Sequence, residues 1–250
     1  MWLGDGSTNK AEFTSMDIEV IQALQEYASR NGMVVRLNKN NITGDAVNLS
    51  IVNLENIKSG NHSKPNQLKE ALRYYGVFKN KFIPEDYIYT TRENRLALLA
   101  GLIDTDGYYS KRDHYYVFSQ CESRKHIVDA AAFIARSLGF KCTVNKYNTA
   151  TTKQILNNKK ISVCENTWVL NILDGNYEIP VKIARKKGSV KKTKGNALQS
   201  NFKISYEGIG QYCGITVDGD NLFVLGDFTI VHNCGWDVPG RDGSKASTFN

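Results

Sequence analysis

The chain has no run of apolar residues approaching the length of about 18 that a membrane-spanning helix needs. Its start shows no basic segment followed by an apolar stretch, so a secretory signal is not expected. Cysteine is scarce. Cys121, Cys142, Cys164, Cys213 and Cys234 are odd in number, widely spaced and without a CxxC pair. With only four histidines, far apart, neither a disulfide framework nor a structural zinc site is expected. An intracellular, reducing compartment fits, nucleus or cytoplasm in a eukaryote.

The 250 residues are 41% hydrophobic, enough for one sizeable domain or two small ones. Lys and Arg outnumber Asp and Glu by 32 to 25. The excess is local. Lys182, Arg185, Lys186, Lys187, Lys191, Lys192 and Lys194 follow one another with no acidic residue between them. Such a run favours a polyanion partner, with a solvated linker as the alternative.

The order of predicted elements repeats. Residues 1–6 read as the end of a helix whose beginning is missing. A strand at 11–14, an amphipathic helix at 17–30 with Ile18, Ile21, Leu24 and Ala28 on one side, strands at 33–37 and 47–52, and a helix at 67–75 follow. Then come a helix at 95–105, a strand at 115–119, a helix at 125–137 ended by Gly139, strands at 140–145 and 160–164, and a short helix at 167–173. Residues 31–39 (NGMVVRLNK) parallel 138–146 (LGFKCTVNK) at an offset of 107, near the 101 that separates Asp5 from Asp106. Two α+β halves of about 100 residues follow. Beyond Gly195, short β candidates at 201–205, 211–217, 222–225 and 228–231 are separated by Gly and Asp.

Leu99-Ala100-Gly101-Leu102-Ile103-Asp104-Thr105-Asp106-Gly107 places small residues directly ahead of an acidic, Gly-terminated helix end. Trp2-Leu3-Gly4-Asp5-Gly6 is a shorter version. Small residues let two such helices cross closely, and each then delivers one carboxylate, Asp5 or Asp106, to a shared point. Two close carboxylates repel unless a divalent cation sits between them. Magnesium accepts oxygen ligands, retained water and phosphate oxygens, which matches phosphodiester hydrolysis. Asp104 is a weaker candidate, because its counterpart in the first copy is Leu3.

Residues 99–107 differ only at Thr105 from the signature that names the LAGLIDADG homing endonucleases, and Lys81-Phe82-Ile83-Pro84 resembles a block lying between their two signatures. Residues 212–234 resemble the last two splicing blocks of an intein. The chain thus resembles an N-terminally truncated intein carrying such an endonuclease, of the fungal vacuolar-ATPase and mating-type-switching kind. The resemblance implies an α+β, pseudo-two-fold fold of two αββαββα halves (1–90 and 91–195), a β-rich Hint splicing segment (196–233) and a host-protein (extein) flank (234–250). It implies a monomer cutting double-stranded DNA with Mg2+ held by Asp5 and Asp106. Lys81 matches the active-site lysine of the first half. Ile179-Pro180-Val181-Lys182 echoes that block with the lysine displaced, so Lys182 is carried over to the second half; a phosphate contact or a solvated residue is the alternative. Arg36, Lys39, Lys141, Lys146, Arg185, Lys186 and Lys187 are the candidate DNA contacts.

At the C-terminal junction, Asn233 can cyclise onto its own carbonyl, His232 can assist by proton transfer, and Cys234 supplies an acceptor thiol. Asn221 stands where such blocks usually hold His, and no N-terminal splicing block is present, so splicing needs the missing intein segment. The alternative to an active nuclease is a degenerate domain that binds DNA or supports splicing without cutting.

Overall fold

In a computed structural model, the described residues are 1–43, 46–59, 64–148, 155–156, 159–160, 166–173, 178–189, 203–206, 208–210 and 217–232. Two compact units divide the chain, residues 1–198 and 199–250. The first unit opens with α1 (Trp2–Asp5), β1 (Glu12–Ser15), α2 (Ile18–Arg30), β2 (Met33–Thr43), β3 (Ala46–Asn53), α3 (Leu54–Ser59) and α4 (Gln67–Tyr74). After α5 (Glu85–Ile88) come α6 (Arg92–Asp106), β4 (Gly107–Ser110), β5 (Tyr115–Cys121), α7 (Lys125–Ser137), β6 (Cys142–Asn148), the short pair β7 (Ile155–Leu156) and β8 (Lys159–Lys160), and β9 (Asn166–Ile172). In the second unit β10 (Leu222–Val224) and β11 (Ile230–His232) pair as an antiparallel hairpin.

Two antiparallel sheets, ordered β1-β3-β2 and β4-β5-β9-β6, each carry one long amphipathic helix. The helices stop in the same way. Gly32 and Gly139 take φ of +65° and +84° just beyond α2 and α7, a conformation that costs residues with a Cβ. On α7 the expected face of Ile127, Ala131, Ile134 and Leu138 is buried. On α2 the buried face is Val20, Leu24 and Ala28; Ile18, expected among them, is 59% exposed.

The two sheets have similar strand registers. Across the first sheet, Gly6 bridges Phe13, Phe13 faces Leu49, and Leu49 faces Leu37. Across the second, Gly107 faces Phe118, Phe118 faces Leu170, and Leu170 faces Val144. The same small, aromatic and aliphatic residues thus occupy matching rows. The halves also depart from strict αββαββα order among the described residues. The first retains only the isolated Gly6–Phe13 bridge where the second has β4, and the second ends in a 3-10 turn, Ala184–Lys186, rather than a helix.

Residues 167–173, expected as a short helix, form strand β9 instead. Leu170 and Ile172 are buried at period two, and β9 is hydrogen-bonded on both sides, to β5 and β6. A short apolar run carries no period long enough to decide between helix and strand, so pairing decides it. The expected strand at 201–205 is not formed over its described part, residues 203–205, while 211–216 lie outside the described residues.

Two hydrophobic cores lie under the sheets, and the halves exchange residues between them. Ile83, in the tail of the first half, is buried in the core of the second with Leu99, Ile103 and Ile134. Ile183, in the tail of the second, is buried in the core of the first with Phe13, Val20 and Leu49. Helix α6 is buried continuously from Leu99 to Asp104, as expected of a helix enclosed on all sides. Ile183→Ala, at a site 1% exposed, is expected to cost about 2–5 kcal/mol. Ile18→Ala should change stability by less than about 0.5 kcal/mol. Urea denaturation of the two variants checks both values.

Candidate active site

Helices α1 and α6 lie against each other with their C-terminal ends together. A Cβ placed on Gly4 would stand 2.1 Å from the Thr105 hydroxyl and 2.4 Å from its Cβ. A Cβ on Gly101 would stand 2.7 Å from the Met1 nitrogen. Both glycines are therefore required by close approach. Thr105, the residue that departs from the nine-residue signature, donates its hydroxyl to the Gly101 carbonyl at 2.9 Å.

This crossing brings Asp5 and Asp106, the last residues of α1 and α6, into electrostatic contact. Burial first and the nearby Asp106 second push the Asp5 carboxyl up to about 6, while Lys186 and Lys81 act in the other direction. Asp106 is exposed and accepts a hydrogen bond from the Gln120 side-chain amide at 2.6 Å. Asp104, by contrast, is 2% exposed. Its carboxylate accepts from the backbone N–H of Lys182 at 3.1 Å and of Ile183 at 3.0 Å, so it anchors the returning tail.

Each helix end is gripped by a buried lysine. Lys81, 8% exposed, donates from Nζ to the Gly4 carbonyl at 2.7 Å. Lys186, 6% exposed, donates to the carbonyls of Ile103 at 3.0 Å, Asp104 at 2.7 Å and Thr105 at 3.3 Å. Gly4 and Thr105 are each the residue before the terminal Asp, so the two lysines make matching contacts. Burial lowers the pKa of both. Arg124 adds to this at Lys81 and Arg185 at Lys186, and the surrounding aspartates partly offset it. His126 Nε2 contacts the Lys81 carbonyl at 2.9 Å, tying the first tail to the start of α7.

The second lysine at the helix ends is therefore Lys186, which sequence reasoning placed among the DNA contacts. Lys182, expected in that position, has an exposed side chain and lines a surface groove with Glu19, Glu26 and Lys187. Gln120 was missed altogether. The signal for it lay in register: it stands two residues beyond Phe118, on the same strand face.

The expected DNA contacts separate. Arg36 is exposed, in one row with Glu12 and Ser50 on the face of the first sheet opposite the core. Lys39 belongs to β2, and its side chain lies outside the described residues. Lys141 precedes β6 and is partly buried. Lys146 shares the core-side face with Val144. It pairs with Glu122 at 3.2 Å, its Nζ 5.4 Å from the Trp168 ring centroid. It is the one charged residue in β4, β5, β6 and β9, so the open face of that sheet is uncharged and offers hydroxyls, amides and tyrosines beside Val117 and Val169. Arg185 binds both Asp17 oxygens at 2.8 Å. His232 closes β11; Asn233 and Cys234 lie outside the described residues.

No group of three or more His, Cys, Asp or Glu among the described residues is arranged to hold a metal. Magnesium needs less from the protein: one or two carboxylates, with water and a substrate phosphate completing its shell. The paired hard oxygens of Asp5 and Asp106 fit that requirement.

Because the folded-state value of Asp5 lies above its ordinary 3.8, ionising it opposes folding. That penalty is absent below about pH 4 and complete above about pH 6. Asp5→Asn is expected to be more stable than the parent by about 1–2 kcal/mol at pH 7.5. Urea titrations across pH check this; the difference should vanish below pH 4, and a pH-independent difference counts against it.

Comparison with known proteins places these features. Residues 83–203 match the family model described as homing endonuclease. Over 253 aligned residues the chain is 26% identical to the homothallic switching endonuclease of Saccharomyces cerevisiae, covering 94% of this chain and 42% of that protein. Over 141 residues it is 28% identical to the replicative DNA helicase DnaB of Mycobacterium intracellulare, covering 56% of this chain and 18% of that one. The chain thus spans less than half the length of these curated relatives. Mesophilic variants of the homing endonuclease I-DmoI superpose with a TM-score of 0.40 at 16% identity, covering 68% of this chain and 78% of theirs. The I-DmoI complex with DNA and Ca superposes at 0.36 and 14% identity, covering 64% of this chain and 66% of that one. The matched segment, at low identity, includes α6, Asp106 and Lys186, so the likeness to homing endonucleases covers the second acidic helix end.

Proposed function

We propose that this chain is a site-specific, Mg2+-dependent endonuclease for double-stranded DNA, embedded in an intein. The observation that carries the proposal is the abutting of two Asp-terminated helices, each gripped at its last carbonyls by a buried lysine from a tail. The homology to homing endonucleases supports the same reading. Both carboxylates come from one chain, which favours a monomer.

Asp5 and Asp106 would hold the metal, which when bound supplies Lewis-acid stabilisation and a water of lowered pKa. Lys81 and Lys186 lie beside the carboxylates with lowered pKa, placed to stabilise charge developing on a phosphate oxygen. Arg36 and the uncharged open face of the second sheet suit contacts to base edges. At the other end, Asn233 cyclisation assisted by His232, with Cys234 as acceptor, remains the proposed C-terminal splicing chemistry.

The test is selection of cleaved sequences from a randomised plasmid library with Mg2+. The parent is expected to cut and Asp106→Asn to leave the library intact. Chelation of the metal should stop cleavage, and Mg2+ restore it. Lys81→Met and Lys186→Met should each lower the rate by about 10²-fold, while Lys182→Met leaves it nearly unchanged. Binding without cutting by the folded parent would overturn the nuclease reading and leave a degenerate DNA-binding domain.

A further inference from the structure

One charged cluster on the second sheet takes no part in the site described above. Glu122, in the turn after β5, accepts the Trp168 indole N–H on Oε2 at 3.0 Å. The same oxygen lies 3.2 Å from the Lys146 ammonium. Both contacts hold the Glu122 carboxyl below the usual carboxylate range. Lys146 Nζ lies 5.4 Å from the Trp168 ring centroid, and Lys125 Nζ 4.5 Å. Lys125 is bound in turn by both Asp129 oxygens at 2.6 Å.

The fold does not require this cluster. In register, Gln120 faces Trp168 and Trp168 faces Lys146. The matching row of the first sheet holds Ser15 and Val47, which carry neither charge nor ring. The Lys146 and Glu122 side chains are 40% and 46% exposed, and an ion pair so open to solvent adds little to stability. Its position is more telling. Gln120 begins the row and bonds Asp106, and two strand spacings carry the row about 10 Å onward to Lys146. A DNA strand engaged at Asp106 would pass this row within a few nucleotides.

A single anionic oxygen that takes an indole N–H and an ammonium together stands where a phosphate oxygen could stand. A DNA phosphate offers the same acceptor chemistry. It also releases condensed counterions on binding, which a carboxylate of the chain itself does not.

We propose that Glu122 occupies a subsite for a backbone phosphate of DNA, which displaces the carboxylate and takes over the Trp168 N–H and the Lys146 ammonium. This rests on the reading of the chain as a protein of double-stranded DNA. It adds a named phosphate contact and an internal anion that competes for it. Glu122 therefore lowers the affinity for any duplex that uses this contact.

The experiment titrates the whole chain, with metal chelated so that no DNA is cut, against a fluorescein-labelled duplex of arbitrary sequence over a range of salt. Lys146→Met should weaken binding about 3–10-fold and reduce the salt slope by about 1. Glu122→Gln keeps an acceptor for the indole but removes the charge, and should tighten binding about 3–10-fold. In the Lys146→Met background most of that gain should disappear, because the two side chains act on one contact. Trp168 supplies a second signal. DNA should change the tryptophan emission of the parent, and Trp168→Phe should remove most of that change, with near-UV circular dichroism showing each variant folded. A gain from Glu122→Gln that persists in full without Lys146 would reflect general charge alone and overturn the inference. Weaker binding by Glu122→Gln, or an emission change untouched by Trp168→Phe, would also overturn it while leaving DNA binding intact. A folded parent that binds no duplex would overturn both readings.

Discussion

The contact between Gly4 and Thr105 is the constraint on which the rest of the first unit depends. It sets two helix C-termini side by side, and such ends carry unpaired carbonyls and partial negative charge. Two carboxylates follow, on adjacent positions in space. Left alone, this arrangement concentrates charge of one sign where burial makes it costly. The chain meets that cost with two buried ammonium groups, one on the carbonyl of Gly4 and one on those of Ile103, Asp104 and Thr105.

Neither lysine reaches its helix end by local geometry. Lys81 lies in the tail of the first half, two residues before Ile83, which is buried in the second core. Lys186 lies three residues after Ile183, which is buried in the first. The exchange of isoleucines supplies the hydrophobic free energy that holds the tails, and the lysines are carried in with them. Asp104 completes the second tail by accepting the N–H groups of Lys182 and Ile183. A buried carboxylate satisfied by backbone donors serves here as a structural anchor, leaving Asp106 alone at the exposed end.

Much of this was legible in the residues. The acidic helix ends, their small-residue faces and the 107-residue offset between the NGMVVRLNK and LGFKCTVNK segments identify the repeat, and most long helices fall where periodicity places them. The second lysine was not legible, because matching along Ile-Pro aligned Ile83 with Ile179 and pointed to Lys182. Packing instead makes Ile183 the counterpart of Ile83, and a 3-10 turn rotates Lys186 inward. Gln120 escaped for a related reason. Its meaning comes from which strand it occupies and what that strand faces, and no spacing along the chain encodes that.

The distribution of charge follows the same logic. Of the basic run that suggested a polyanion, Lys186 is consumed in capping α6 and Arg185 in pairing with Asp17. On the second sheet, Lys146 is turned to the core side and paired with Glu122. The open face of that sheet is thereby left without formal charge, while the first sheet presents Arg36 and Glu12 in one row. A face of hydroxyls, amides and tyrosines gains little from nonspecific attraction to phosphate, since that attraction comes from Lys and Arg. If it binds DNA as proposed, its binding energy would come from hydrogen bonds and packing at base edges, which depend on sequence. On the proposed reading as a site-specific nuclease, removing charge from this face would itself be a means of selection, because it lowers the affinity for every wrong site while leaving intact the contacts that the right one makes.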